Sequence, residues 1–267
     1  EFYGSTPGTA GYEAAKWLNR RVGSKNDEHF TRSFTLAGFI DDINESGITS
    51  AVVVGRDTPS LTVSNDVIYD VVKQHKELIG IASVDPQTHG IKATLDEIER
   101  STKQLYLKGI NVEPGFGNPA VHADDKDFLG VYDACQQLGL PLFIMSGPTT
   151  PNLEHTNPAA IGRIARDFPN LNIVVYHGSY PFVNEIIGVA FRYENVNVVP
   201  DMYLFQPGSK LFVEAANSFL NEQLLFATSY PFRPMKQTID DFLELGFKEE
   251  ILDNLFHKNA KRILKLN

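Results

Sequence analysis

Short apolar runs alternate along this chain with stretches in which apolar residues recur at helical spacing. Runs such as 52–54 and 173–175 are continuously apolar, which is typical of parallel strands buried on both faces. Successive runs start about 30 residues apart, the length of one strand plus its crossover helix. The pattern therefore predicts an α/β fold made of repeated strand–helix units. The runs begin at residues 50, 78, 109, 141, 172, 196 and 223.

The stretches between the runs predict the helices. In 66–75 the apolar residues fall on one side of a helix. Asn157 followed by Pro158 is typical of a capped helix start with proline in the first turn. Further helices are predicted at 39–45, 91–104, 125–138, 181–192, 208–220 and 235–265.

Repetition of this unit predicts a (β/α)8 TIM barrel whose first strand is not visible. The helix at 39–45 precedes the first apolar run, whereas in a closed barrel it would follow strand one. Residues 1–37 are rich in Gly, Ser, Thr, Arg and Asn, and we expect an irregular N-terminal segment of a single domain, 1–267. A doubly wound open sheet is the alternative. Neither nucleotide-binding pattern, GxGxxG or GxxxxGK[ST], occurs.

Composition narrows the classes of partner. The formal charge of −9 and the pI near 5.3 argue against a basic face for nucleic acid. No apolar run approaches the roughly 20 residues of a membrane-spanning helix, and no signal-peptide pattern is visible. The single cysteine, Cys135, lies in a helical pattern, which excludes a disulfide framework and favours a cytoplasmic protein. We therefore expect a small-molecule partner, with neither nucleic acid nor membrane.

Polar residues follow the predicted strands, where the chemistry of a (β/α) barrel is found. His177 follows one run and is the candidate general acid or base. Glu113 and Asp201 follow two others, and mutual repulsion could hold one proton between them. An ion pair with Arg56 is an equally good interpretation of these carboxylates. The other histidines are expected at the surface: His29, His75, His89, His122, His155 and His257.

Several of these stretches resemble the amidohydrolase-related family. This branch of the amidohydrolase superfamily includes aromatic-acid decarboxylases, a pyrone-dicarboxylate lactonase and related hydratases. The resemblance spans nearly the whole chain and implies the TIM-barrel fold. Its motifs are KGINVEP at 108–114, LGLPL at 138–142, FPNL at 168–171 leading to YHG at 176–178, LFATSYP at 225–231 and NAKRIL at 259–264.

The resemblance also implies where a metal would be held. Metal-dependent members take a His-x-His pair from strand one, a histidine from strand five and an aspartate from strand eight. Here strand one is not visible, and Met145 and Ser229 stand at the other two positions. Both are poor Zn²⁺ ligands, so no metal is predicted at the family position. The alternative is a relocated Zn²⁺ or Mn²⁺ held by Glu113, His177 and Asp201.

The residues and the resemblance together favour a metal-independent hydrolase or lyase for a small carboxylated substrate, such as a lactone or an aromatic acid. His177 would be the acid or base, with Glu113 or Asp201 as its partner and Arg56 holding the anion. A barrel that binds a small molecule without catalysis is the alternative. A homo-oligomer is expected from the resemblance alone. Further substrate contacts are predicted at Met145, Tyr180, Tyr203, Ser229 and Tyr230.

Overall fold

The computed structural model describes residues 6–266. Three helices precede the first strand: α1 (Ala10–Arg21), α2 (His29–Ser33) and α3 (Leu36–Glu45). The expectation of an irregular N-terminal segment is therefore wrong from residue 10 onward. Thr9 caps α1 by accepting the Tyr12 backbone N–H, and Ala15 and Leu18 bury one side of the helix.

The predicted parallel sheet is present. The strands are β1 (Ala51–Val54), β2 (Arg56–Thr58), β3 (Leu61–Val63), β4 (Leu78–Ser83), β5 (Ile110–Val112), β6 (Leu142–Met145), β7 (Ile173–Tyr176) and β8 (Val196–Val199). Six of them form the sheet in the order β1-β4-β5-β6-β7-β8, and every pairing is parallel. Strands β2 and β3 form a separate antiparallel hairpin. The run predicted from residue 223 is not a strand, because only Leu224 forms a bridge, to Val198.

Helices follow the strands much as the spacing predicts. The largest differences lie near the C-terminal end, where the expected helices at 208–220 and 235–265 are interrupted by π-helical turns at Ala216–Leu220 and Asn254–Lys258. Gly246, with φ of 90°, also separates two of the helices. These helices are α4 (Asn65–Val72), α5 (Pro86–His89), α6 (Ile91–Lys103), α7 (Leu129–Leu138), α8 (Pro158–Asp167), α9 (Val183–Arg192), α10 (Lys210–Ala215), α11 (Met235–Leu243), α12 (Glu249–Asp253) and α13 (Asn259–Leu264).

The core has two layers, because successive strand residues point to opposite faces. Val175 belongs to the outer cluster between sheet and helices, and Val174 belongs to the inner cluster enclosed by the sheet. Ile263 of α13 joins that inner cluster. The Lys265 ammonium donates to the Gly139 carbonyl, just before β6, which places this end of the chain at the amino ends of the strands. The carboxyl ends of the strands lie at the opposite end of the fold, which this helix does not cover.

Two further expectations concern single features. Cys135 is fully buried in α7, and burial raises the pKa of its thiol to about 12, which suits a packed side chain better than a nucleophile. Within residues 6–266, no helix is long and apolar enough to cross a membrane.

Candidate functional site

Polar side chains follow the carboxyl ends of the parallel strands. Arg56 comes two residues after β1, Glu113 directly follows β5, and His177 directly follows β7. Asp201 comes two residues after β8. Parallel strands end at one edge of a sheet, so all four lie at the same end of the fold.

His177 and Asp201 form a hydrogen-bonded pair. The distance from His177 Nδ1 to Asp201 Oδ2 is 2.7 Å, and the His177 backbone N–H donates to the same oxygen at 3.0 Å. The side chain of Asp201 is 3% exposed and that of His177 is 12% exposed. A carboxylate at Nδ1 stabilises the tautomer with its proton there, which leaves the Nε2 lone pair for a substrate.

The backbone around this pair is in an unusual conformation. His177, Ser179 and Asp201 have φ of 66°, 51° and 44°, in the left-handed region. This conformation costs a residue other than glycine about 1 to 2 kcal/mol. Gly147 lies so close that a Cβ on it would be 2.7 Å from the Cβ of His177. Close packing against Gly147 thus adds to the hydrogen bonds of Asp201 in fixing the histidine.

Glu113 pairs with Arg56. The Arg56 Nε donates to Glu113 Oε1 at 2.9 Å, and Nη2 contacts Oε2. The Glu113 side chain has no exposed surface, whereas that of Arg56 is 26% exposed. Asn111, also buried, donates to Glu113 Oε1 at 3.2 Å. Of the two interpretations of Glu113, the structure shows the ion pair, and Glu113 and Asp201 have different partners.

Tyr176 is a site residue that the sequence reasoning missed. It is the last residue of β7, and its ring centre lies 4.9 Å from that of His177. Burial raises the pKa of its phenol well above 10, and the charge of Glu113 adds to this rise while that of Arg56 opposes it. The phenol therefore stays protonated as a donor. Alternation along β7 could have identified it, since Tyr176 shares the inward face of Val174.

Two predicted tyrosines extend the site. The rings of Tyr180 and Tyr203 are stacked, with centres 5.3 Å apart and planes 5° apart. Tyr203 meets the His177 ring edge to face at 5.4 Å. Burial raises the pKa of Tyr203, and Asp201 raises it further. Met145 is buried at the end of β6, where it pairs in register with Tyr176.

Tyr230, also predicted as a substrate contact, is bonded to the N-terminal helices. Its hydroxyl donates to Asp42 Oδ2 at 2.6 Å, and its ring packs on Phe39 of α3 with centres 5.5 Å apart. His29, expected at the surface, is buried beside Tyr230, with Nε2 2.6 Å from the Pro231 carbonyl oxygen. Ser229, with φ of 52°, leads into this region. The structure thus shows Tyr230 in contact with the N-terminal helices α2 and α3.

The donors present do not fit the metal that the family implies. Met145 and Ser229 offer a thioether and a hydroxyl where a histidine and an aspartate would be needed. A metal bound to Glu113 would have to displace Arg56, whereas His177 could still offer Nε2 with Asp201 on its Nδ1. Within the described part of the chain, no three His, Cys, Asp or Glu side chains form a metal-holding group. We therefore derive no chemical step through a metal.

The amidohydrolase family model matches residues 31–266. A TIM-barrel protein from Bordetella bronchiseptica is 32% identical, with a TM-score of 0.89 over 96% of this chain and 91% of that chain. This likeness confirms the predicted fold class. A search of curated proteins found no match.

More distant structures share the fold. A 2,6-dihydroxybenzoate decarboxylase from Rhizobium is 15% identical, with a TM-score of 0.68 over 85% of this chain and 87% of that chain. A 5-carboxyvanillate decarboxylase from Novosphingobium aromaticivorans, solved with manganese and a nitrobenzoic acid, is 18% identical, with a TM-score of 0.70 over 95% of this chain and 93% of that chain.

Proposed function

This chain belongs to the amidohydrolase family, and from that premise we propose that it is a hydrolase or lyase for a small carboxylated compound, with His177 as its general acid or base. The observation that carries the proposal is the 2.7 Å contact of His177 Nδ1 with Asp201. A histidine held in one tautomer by a buried carboxylate is a common arrangement for proton transfer.

The pair supports either reaction type. In hydrolysis, His177 Nε2 takes a proton from water as the water oxygen attacks a carbonyl carbon, and the imidazolium then gives that proton to the leaving oxygen. In decarboxylation, the imidazolium protonates the ring carbon that bears the carboxylate, and the C–C bond breaks to release CO₂. Asp201 stabilises the imidazolium in both cases.

The surroundings favour an aromatic or otherwise planar substrate. The stacked rings of Tyr180 and Tyr203 form a flat apolar wall beside His177. Arg56 is a candidate for the substrate carboxylate, because a guanidinium has five N–H donors and can be shared with Glu113. Distant structural relatives are decarboxylases of hydroxylated aromatic acids, which agrees with this substrate class.

The test is a substrate screen of hydroxybenzoates and small lactones with the wild-type chain, His177→Gln and Asp201→Asn. His257→Ala is the control, because His257 is exposed on another face. We expect turnover that falls at least roughly 100-fold in the two site variants and is unchanged in the control. Parallel assays with chelator and with added Mn²⁺ test the relocated-metal alternative.

Three other outcomes would count against this proposal or part of it. Turnover that survives His177→Gln would contradict the proposed role of His177. Thermal stabilisation by these compounds without turnover would favour the binding protein. Activity that requires added Mn²⁺ would overturn the metal-independent assignment.

A further inference from the structure

Helix α1 packs against one wall of the proposed site. Leu18 of α1 and Val22, the residue after it, share a buried apolar cluster with Met202 and Tyr203. Met202 and Tyr203 belong to the turn Asp201–Phe205, which follows β8 at the carboxyl end of the sheet. Tyr203 is 3% exposed, so α1 contributes to shielding this wall of the site from solvent.

Residues 10–27, which comprise α1 and the loop after it, form contacts among themselves, and we call them the α1 segment. The Lys16 ammonium lies 2.9 Å from the Asp27 carboxylate. The buried Asn19 Nδ2 donates to the Asn26 carbonyl at 3.0 Å. The loop thus returns along the helix and is bonded to it. Because these bonds lie inside the segment, they are kept if it moves as one unit.

The α1 segment is joined to the rest of the chain near its end, by hydrogen bonds to residues 232–237. These bonds link the Val22 carbonyl to Arg233, the Gly23 carbonyl to Gln237 at 3.2 Å and the Ser24 hydroxyl to the Phe232 carbonyl at 3.2 Å. On the outer side of α1, Trp17 is 50% exposed, and Arg20 and Arg21 are exposed as well. A segment that buries few apolar side chains opens at a lower free energy than the core does.

Arg233 is the central residue of this attachment. Its side chain is 1% exposed and, besides Val22, bonds Asp241 of α11. The central carbon of its guanidinium lies 3.9 Å from the ring centre of Phe205, the last residue of the turn after β8. One buried cation therefore joins the end of α1 to the turn on which α1 packs.

We propose that the α1 segment is a lid, with Arg233 as its latch, which opens as one unit while the barrel stays folded and thereby uncovers Tyr203. The hinge lies just before α2, because α2 is held to the barrel by the 2.6 Å contact of His29 Nε2 with the Pro231 carbonyl oxygen. That the open lid admits substrate rests on the proposed function, whereas the opening itself does not.

The first test is hydrogen exchange of the full chain, measured by mass spectrometry, in the wild type, Arg233→Met and Ser24→Ala. We expect the amides of α1 to exchange at least roughly 100-fold faster than those of β6 and β7, through local opening. Arg233→Met should speed the exchange of α1 roughly tenfold or more, because the closed lid loses a hydrogen bond from a buried charged group. Ser24→Ala should give a smaller increase and serves if Arg233→Met does not fold.

The control is Ile161→Val, in the barrel core. Ile161 is buried in α8 and stays packed when the lid opens. This variant should therefore speed the exchange of β6 and β7 roughly threefold or more and leave that of α1 unchanged. Equal acceleration of α1 and the strands would mean that α1 opens only by global unfolding, which would overturn the lid. Unchanged α1 exchange in both Arg233→Met and Ser24→Ala would overturn the latch.

The second test is nitration of tyrosines by tetranitromethane, located by mass spectrometry. Tyr203 should be nitrated roughly threefold faster or more in Arg233→Met than in the wild type. Tyr106, which is 69% exposed, and Tyr132, which is fully buried, should each react alike in both. Faster exchange of α1 without faster nitration of Tyr203 would show that the lid does not cover this residue. Neither test uses a substrate, so failure of the proposed enzyme function would leave both results unaffected.

Discussion

A single oxygen of Asp201 holds both the ring and the main chain of His177, with Oδ2 2.7 Å from Nδ1 and 3.0 Å from the backbone nitrogen. One side chain therefore fixes the tautomer of the histidine and also closes the left-handed turn that carries it. The proposed proton transfer and the fold of this turn therefore depend on the same contact.

Asp201→Ala should destabilise the protein by about 2 to 4 kcal/mol, because two buried hydrogen bonds to a charged group are lost together. Asp201→Asn keeps an acceptor oxygen and should cost less. Urea unfolding measures both, with Asp253→Ala as a control on an ion pair whose side chains are about 60% exposed. Equal stability of Asp201→Ala and the control would show that Asp201 has no role in the turn.

Replacing Arg56 should cost more stability than replacing its partner Glu113. Arg56→Met should cost about 3 to 5 kcal/mol, because it leaves the fully buried Glu113 carboxylate without its cation. Glu113→Gln should cost less, since the guanidinium is 26% exposed and can be hydrated. The measurement is the free energy of unfolding of both variants at one pH. The reverse order would contradict this account of the pair.

Gly147→Ala should cost about 1 to 3 kcal/mol, because the new Cβ would overlap the His177 side chain. Gly188→Ala is a matched control in the middle of α9, where a Cβ meets nothing within 4 Å. That control should instead stabilise the protein by about 0.5 to 1 kcal/mol, through better helix propensity. In thermal melting, we expect the melting temperature to fall in Gly147→Ala and to rise in Gly188→Ala.

His29 predicts a pH dependence of stability. Burial lowers its pKa below the ordinary 6.5, although the Pro231 carbonyl and Asp42 oppose the shift. Below about pH 6.5 the unfolded chain therefore binds a proton that the folded chain excludes, and stability falls as the pH drops toward the folded pKa. Above 6.5 the contribution is fully present.

His29→Gln removes the titrating imidazole, and the glutamine amide can still donate to the Pro231 carbonyl. The difference in unfolding free energy between wild type and His29→Gln should narrow from about pH 7.5 to about pH 5.5. Denaturant titrations at both pH values test this. A constant difference would mean that His29 has the same pKa in the folded and unfolded chains.

The sequence predicts the features that depend on short-range pattern. Continuous apolar runs identify the six strands of the sheet, and position after a strand selects His177 and Asp201, which the structure brings into contact. Helix α1 was missed because only two of its apolar residues, Ala15 and Leu18, are buried, so its apolar pattern is weak. The run from residue 223 was predicted as a strand because it is apolar, but apolar character alone does not provide a pairing partner.

Partner choice at the site could not be predicted. Whether Glu113 meets Arg56 or Asp201 depends on the direction in which each side chain leaves its strand end. Left-handed residues set that direction at His177 and Asp201, and no periodicity marks them. The partner of Tyr230 could not be predicted for a related reason, because Asp42 lies far away along the sequence.

The left-handed residues at the strand ends also limit how this protein can change. His177, Ser179, Asp201 and Ser229 would each be relaxed by glycine, which tolerates positive φ. Glycine at any of them would relax the backbone but remove the side chain, and at His177 or Asp201 it would also remove their hydrogen-bonded pair. Strained residues at these strand ends therefore imply a trade-off in which the proposed site limits stability.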